Sequence, residues 1–126
     1  MAASIGTSTI EAFEAIRAIK QMPDTSDAEI EARRKNAVQI CSLITNKVLN
    51  AMEHCLEDYN KPEDEILYGT AGYLQALLLL KQRVEDSIAP IMTTHPDSEK
   101  KWRNFETKVN QGICQISIKL LEQTTI

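Results

Sequence analysis

The chain has 126 residues, 43% of them hydrophobic and 25% charged, with a formal net charge of −4. This length and balance predict one globular domain or part of one, long enough to bury a core. The acidic balance, without a stripe of Lys or Arg, argues against nucleic-acid binding.

The three cysteines, Cys41, Cys55 and Cys114, are odd in number and widely spaced. This pattern argues against a disulfide framework and predicts a reducing compartment, the cytoplasm. The N-terminus has neither a charged segment nor a long apolar segment, so no secretory signal is expected. No apolar run approaches the ~18 residues that a membrane span needs.

The first half of the chain shows two helix starts. A capping box at Ser8–Glu11 predicts a helix over about 8–21, and a second at Ser26–Glu29 opens a segment that lacks Gly and Pro until Pro62. The charged residues 29–35 are expected to be exposed or to form a short helix of their own. Helical spacing then continues through the apolar positions Ala37, Cys41, Ile44, Val48, Met52, Cys55 and Tyr59.

The densest apolar run follows an acidic turn over 62–65, and it predicts a helix over about 70–88 that Pro90 closes. Leu67 and Tyr68 are interpreted as the end of a loop. Gly69 and Gly72 fall on one helix face, where the missing Cβ atoms predict close approach of another backbone. Leucines on more than one side of this helix predict burial between layers.

After a loop over 91–96, Asp97 or Ser98 is expected to cap a last helix over 97–124. Its inner face is predicted to carry Trp102, Phe105, Val109, Ile113, Ile116 and Leu120. No segment alternates like a strand, so the predicted fold class is all-α.

Few residues suggest chemistry. Adjacent helical residues such as His54 and Cys55 point about 100° apart, which disfavours a shared zinc ion, and Cys41 lies about 20 Å from Cys55 along a helix. Cys55 is therefore interpreted as a packing residue and His95 as a solvated loop residue. The sequence predicts no catalytic residue and no metal ligand in this chain.

The segment Glu65-Ile-Leu-Tyr-Gly-Thr-Ala-Gly-Tyr-Leu-Gln-Ala-Leu resembles a Gly-rich repeat of the eukaryotic lanthionine synthetase C-like (LanC-like) proteins. The motif residues are Tyr68, Gly69, Gly72 and Tyr73. The resemblance implies part of an α/α toroid, an incomplete ring of helical hairpins. It divides one partial domain over 1–126 into outer-type helices (1–60), an inner helix (61–90) and a following helix (97–124).

The resemblance also implies a function. Full-length relatives bind glutathione and use zinc to add thiols to dehydroamino acids in proteins, and some association with the membrane periphery is implied. Their zinc ligands are two Cys and a His, including a Cys-His-Gly motif that this chain lacks, and Thr70 stands where eukaryotic members often carry Arg. The chain is therefore expected to be an N-terminal portion of a longer protein, or a degenerate short member, and inactive alone.

Two other hypotheses stay open. The chain could be a small helical adaptor that binds a partner without catalysis, or a regulatory segment in which Cys55 or Cys114 senses oxidants. If neighbouring repeats are missing, the apolar surface of Leu77–Leu80, or of Trp102, Phe105 and Ile113, is expected to be partly uncovered.

Overall fold

The structure, a computed structural model, describes residues 2–50 and 63–124. All regular structure in these residues is helical, so the all-α prediction is confirmed. The elements are α1 (Ala2–Lys20), α2 (Asp27–Leu43), a π-helical segment (Ile44–Leu49), α3 (Glu63–Ser87), α4 (Ala89–Met92) and α5 (Pro96–Thr124).

The first predicted helix is real, but its predicted start is wrong. Helix α1 begins at Ala2, so the Ser8–Glu11 capping box lies inside the helix. Alanines at the second and third positions favour helix over the extended backbone that an N-cap at Ser8 needs. The second predicted start is confirmed, because the Ser26 side chain accepts a hydrogen bond of 3.2 Å from the Glu29 backbone N–H.

Helix α2 continues directly into the π-helical segment, where the Asn50 N–H donates to the Thr45 carbonyl five residues earlier. The charged 29–35 stretch belongs to this same helix, which excludes a separate short helix there. Ala37, Cys41, Ile44 and Val48 are all buried, which confirms that part of the periodicity. The predictions for Met52, His54, Cys55, Tyr59 and Pro62 lie outside the described residues.

The predicted helix over 70–88 begins earlier than expected. Helix α3 starts at Glu63, so the predicted loop end at Leu67 and Tyr68 and most of the predicted acidic turn are helical. Gly69 and Gly72 therefore lie within the helix and not at its start.

The predicted loop over 91–96 is partly helical. Pro90 lies in the first turn of α4, where its missing N–H costs nothing. Ser98 does not cap α5, which begins at Pro96. The Ser98 hydroxyl instead donates to the Met92 carbonyl (2.6 Å) and lies 3.1 Å from the His95 carbonyl, and these bonds tie the α4–α5 turn together.

The four long helices pack in a cycle around one core. Helix α1 contacts α2 and α3, and α5 contacts α3 and the α2–π-helical segment. Asn36 bonds to Met22 just past the C-terminal end of α1, and Lys47 pairs with Glu11 at the middle of α1, so α1 and the α2–π-helical segment are antiparallel. The largest fully buried side chains of this core are Ile19, Ile44, Leu77, Leu80, Ile88, Met92, Ile116 and Val84.

Candidate functional site

The glycine-marked face of α3 is open. Gly69 and Gly72 are both exposed, and a Cβ atom built at either position meets no heavy atom within 4 Å. No described backbone approaches the pair, so the predicted close contact stays a prediction. Tyr73 is half-buried against the core, whereas the side chain of Tyr68 lies outside the described set.

Burial along α3 is one-sided. Leu77 and Leu80 are buried, whereas Leu78 and Leu79 are 47% and 44% exposed. The expectation that α3 is buried on more than one side is wrong, and the expectation of partly uncovered leucines is confirmed at these two positions. Trp102 and Phe105 are buried, with ring centroids 5.6 Å apart, so no apolar surface is uncovered at these two side chains.

The two cysteines that the structure describes differ in exposure. Cys41 is buried, and its Sγ lies 3.4 Å from the Sδ of Met92, whereas Cys114 is exposed. Burial raises the pKa of the Cys41 thiol to about 12. Cys41 is therefore a neutral thiol near pH 7 and a poor nucleophile or metal ligand.

Zinc coordination finds no support in the described side chains. Within residues 2–50 and 63–124, no group of three or more His, Cys, Asp or Glu side chains is placed to hold a metal ion. His54 and Cys55 fall outside those ranges. No helix in the described part of the chain is long and apolar enough to cross a bilayer.

His95 has a structural position at the start of α5. The Asp97 backbone N–H donates to His95 Nδ1 (3.3 Å), and the Asp97 carboxylate lies 4.0 Å from the same nitrogen. The imidazole is half-buried. The side chain is 43% exposed in the bend before α5, as expected for a solvated loop residue. Its ring nitrogen also caps α5, because it satisfies a first-turn N–H that has no intrahelical partner.

A polar groove runs between α2 with its π-helical segment and α5. Its central part has a volume of about 370 Å³ and adjoins a second part of about 280 Å³, since Thr45 and Lys108 line both. Val38 and Lys101 both line the central part, and Asn50 and Gln115 both line the second part. Residue numbers therefore rise in the same direction on both walls, so the two helices run parallel. We call this feature the α2–α5 groove.

The π-helical segment shapes one wall of the α2–α5 groove. Thr45 and Asn50 are five residues apart and both line the groove, because a π-helix aligns residues at that spacing. The Thr45 hydroxyl also donates to the Cys41 carbonyl (2.9 Å). Isolated π-helical turns occur often at functional sites, which makes this seam the strongest candidate site in the described residues.

The charged side chains of the α2–α5 groove are all positive. Its two described parts are lined by Lys101 and Lys108 and by no carboxylate. Neither lysine forms an ion pair with a described residue. Sequence analysis missed this site; the available signal was the seven-residue spacing of the two lysines, which places them on one helix face.

No family model matches the sequence. Neither a curated protein nor a solved structure gives a match to the chain.

Proposed function

We propose that this chain is a helical portion of a LanC-like protein and acts there as a binding and structural element. The observation that carries the proposal is the residue order from Glu65 to Leu80, with Tyr68, Gly69, Gly72 and Tyr73 at the motif positions. All of these positions belong to the single helix α3. In such a parent, glutathione or a protein that carries dehydroamino acids is the proposed partner.

The exposed glycine face supports this proposal. Two glycines on a helix surface cost about 1 kcal/mol each relative to alanine. In the described part of the chain no contact offsets this cost, because the space above both glycines is open. A second backbone packed on this face in the parent toroid gives the glycines a physical reason.

The proposed role excludes chemistry at Cys41. Its thiol is buried and neutral, and it donates a hydrogen bond to the thioether sulfur of Met92. The zinc and thiol chemistry of the family is therefore assigned to residues other than the described ones.

The test is the length and downstream sequence of the natural gene product. We expect the endogenous protein to have an intact mass above the 14.2 kDa of this chain and its transcript to encode a Cys-His-Gly motif. An endogenous product of 14.2 kDa, from a transcript without that motif, contradicts the proposal.

A helical adaptor without catalysis is the second candidate. The α2–α5 groove favours it, because an open groove with uncompensated positive charge has the character of a recognition surface. A stable, folded and monomeric 14.2 kDa natural product favours the adaptor over the LanC-like portion.

A further inference from the structure

The α2–α5 groove combines three chemical features in one place. Its floor is apolar, because the half-buried Val38 lines it above the buried Cys41, Met92 and Phe105. Its walls carry hydroxyl and amide groups, and its rim carries two lysines. The volume of about 370 Å³ in the central part lies in the range of ligand pockets.

The walls offer both donors and acceptors. Ser42, Thr45 and Asn46 line the α2 side, and Asn104 and Gln111 line the α5 side. Except for Thr45, none of these polar side chains has a hydrogen bond to a described residue. Amides and hydroxyls can therefore pair with the backbone N–H and C=O groups of an extended peptide.

The rim lysines decide the charge of the occupant. Lys101 and Lys108 are exposed and unpaired, while the chain as a whole carries a net charge of −4. The carboxylates of Glu31 and Asp97 line the adjoining cavity, which shares Lys101 with the groove and also holds the cations Arg34 and Lys35. Glu31 pairs with Arg34. The groove is thus a positive strip on an acidic protein, which favours an acidic occupant.

We infer that the α2–α5 groove docks an acidic peptide segment of a partner protein, with one apolar side chain packed on Val38. Carboxylates on both sides of that apolar residue pair with Lys101 and Lys108. The inference stands on the groove alone and is independent of membership in the LanC-like family.

The test is a titration of the isotope-labelled full chain, followed by amide chemical shifts. The probe is a short acetylated peptide that carries glutamates on both sides of a single leucine. Two control peptides replace either the glutamates by glutamines or the leucine by serine. We expect saturable shifts at Thr45, Asn46, Asn104 and Lys108 with the probe, and at least about fivefold weaker binding of each control peptide.

Matched variants distinguish binding in the groove from attraction by the overall charge of the protein. The double variant Lys101→Gln/Lys108→Gln removes both rim charges, and Lys20→Gln/Lys100→Gln removes the same charge from exposed positions outside the groove. We expect the first variant to weaken binding of the probe peptide by about tenfold and the second variant to weaken it by less than about twofold. All four substitutions are at exposed positions, and an unchanged circular dichroism melting curve checks that the fold is intact.

Four results overturn the inference. One is the absence of any saturable shift up to about millimolar probe, the upper range of weak specific binding. Another is saturable shifts confined to the α3 face around Leu78 and Leu79. The third is equal weakening by both double variants, because it shows attraction by net charge alone. Binding to vesicles of anionic lipid in place of the peptide also contradicts it.

Discussion

The Sγ atom of Cys41 lies 3.4 Å from the Sδ atom of Met92, which joins the C-terminal end of α2 to the short helix α4. This buried contact closes the floor of the α2–α5 groove and brings together residues that are 51 positions apart. The same burial determines the acid–base behaviour of the thiol, because a thiolate at this position loses its hydration.

The first prediction concerns thiol reactivity. Iodoacetamide at pH 8 should alkylate the exposed Cys114 readily and leave Cys41 largely unmodified, because the pKa of the Cys41 thiol is raised to about 12. Peptide mass spectrometry of the native and the unfolded protein measures the two rates. Equal native rates at the two cysteines contradict the buried position of Cys41.

The second prediction concerns stability at alkaline pH. The pKa of Cys41 rises from 9.0 in the unfolded chain to about 12 in the folded protein, so the unfolded state releases this proton first. The stabilising effect of the protonated thiol is present below pH 9 and is lost as the pH rises towards about 12, by an amount on the order of 4 kcal/mol.

Urea unfolding at several pH values measures this slope, with Cys41→Ala as the variant and Cys114→Ala as its control. We expect the pH dependence of the free energy of unfolding to become flatter in Cys41→Ala and to stay unchanged in Cys114→Ala. The same slope in Cys41→Ala and the wild-type protein contradicts the assignment.

The third prediction concerns the exposed glycines of α3. Gly72→Ala should raise the free energy of unfolding by about 1 kcal/mol, because alanine is the better helix former and its methyl group meets open space. Gly69→Ala should act in the same direction. Chemical denaturation measures both, with Gln75→Ala at an exposed position of the same helix as a control of small effect. A loss of stability in Gly72→Ala restores the close-packing interpretation.

Part of this architecture is predictable from the sequence. The spacing of Ala37, Cys41, Ile44 and Val48 predicts their burial because a helix repeats its faces at that period. Ser26 is also predictable, since its side chain bonds to an N–H that the helix itself leaves unpaired.

Other features depend on tertiary packing. The residues of the π-helical segment carry no signature that separates it from an α-helix, and it is recognised from backbone bonds such as that from the Asn50 N–H to the Thr45 carbonyl. The α2–α5 groove is not visible in any local pattern, because its walls come from segments far apart in the chain. The spacing of Gly69 and Gly72 predicts close contact with another backbone, and no described residue makes that contact.

The fourth prediction compares two adjacent leucines of α3. Leu80→Ala should cost about 2–5 kcal/mol because it leaves a cavity in the core, whereas Leu79→Ala should stay within about 0.5 kcal/mol. Leu80 is 1% exposed and Leu79 is 44% exposed, so the pair differs in environment but not in chemistry. Equal losses of stability at the two positions contradict the observed orientation of α3.

The fifth prediction concerns the turn between α4 and α5. Ser98→Ala should lower the free energy of unfolding by about 1–3 kcal/mol, because it removes the donor to the Met92 carbonyl in a buried site. Ser42→Ala, at an exposed position on α2, is the matched control. A melting temperature that falls equally in both variants argues against a special role for Ser98.

The central claim is that α2, α4 and α5 meet over an apolar floor beneath the positive rim of the α2–α5 groove. The most direct measurement is a nuclear Overhauser experiment on the methyl-labelled full chain, observed from the Met92 methyl group. We predict cross-peaks from this methyl group to the Cys41 side chain and to the Phe105 ring, which line the same floor. A Met92 methyl group that shows cross-peaks to neither residue contradicts the account.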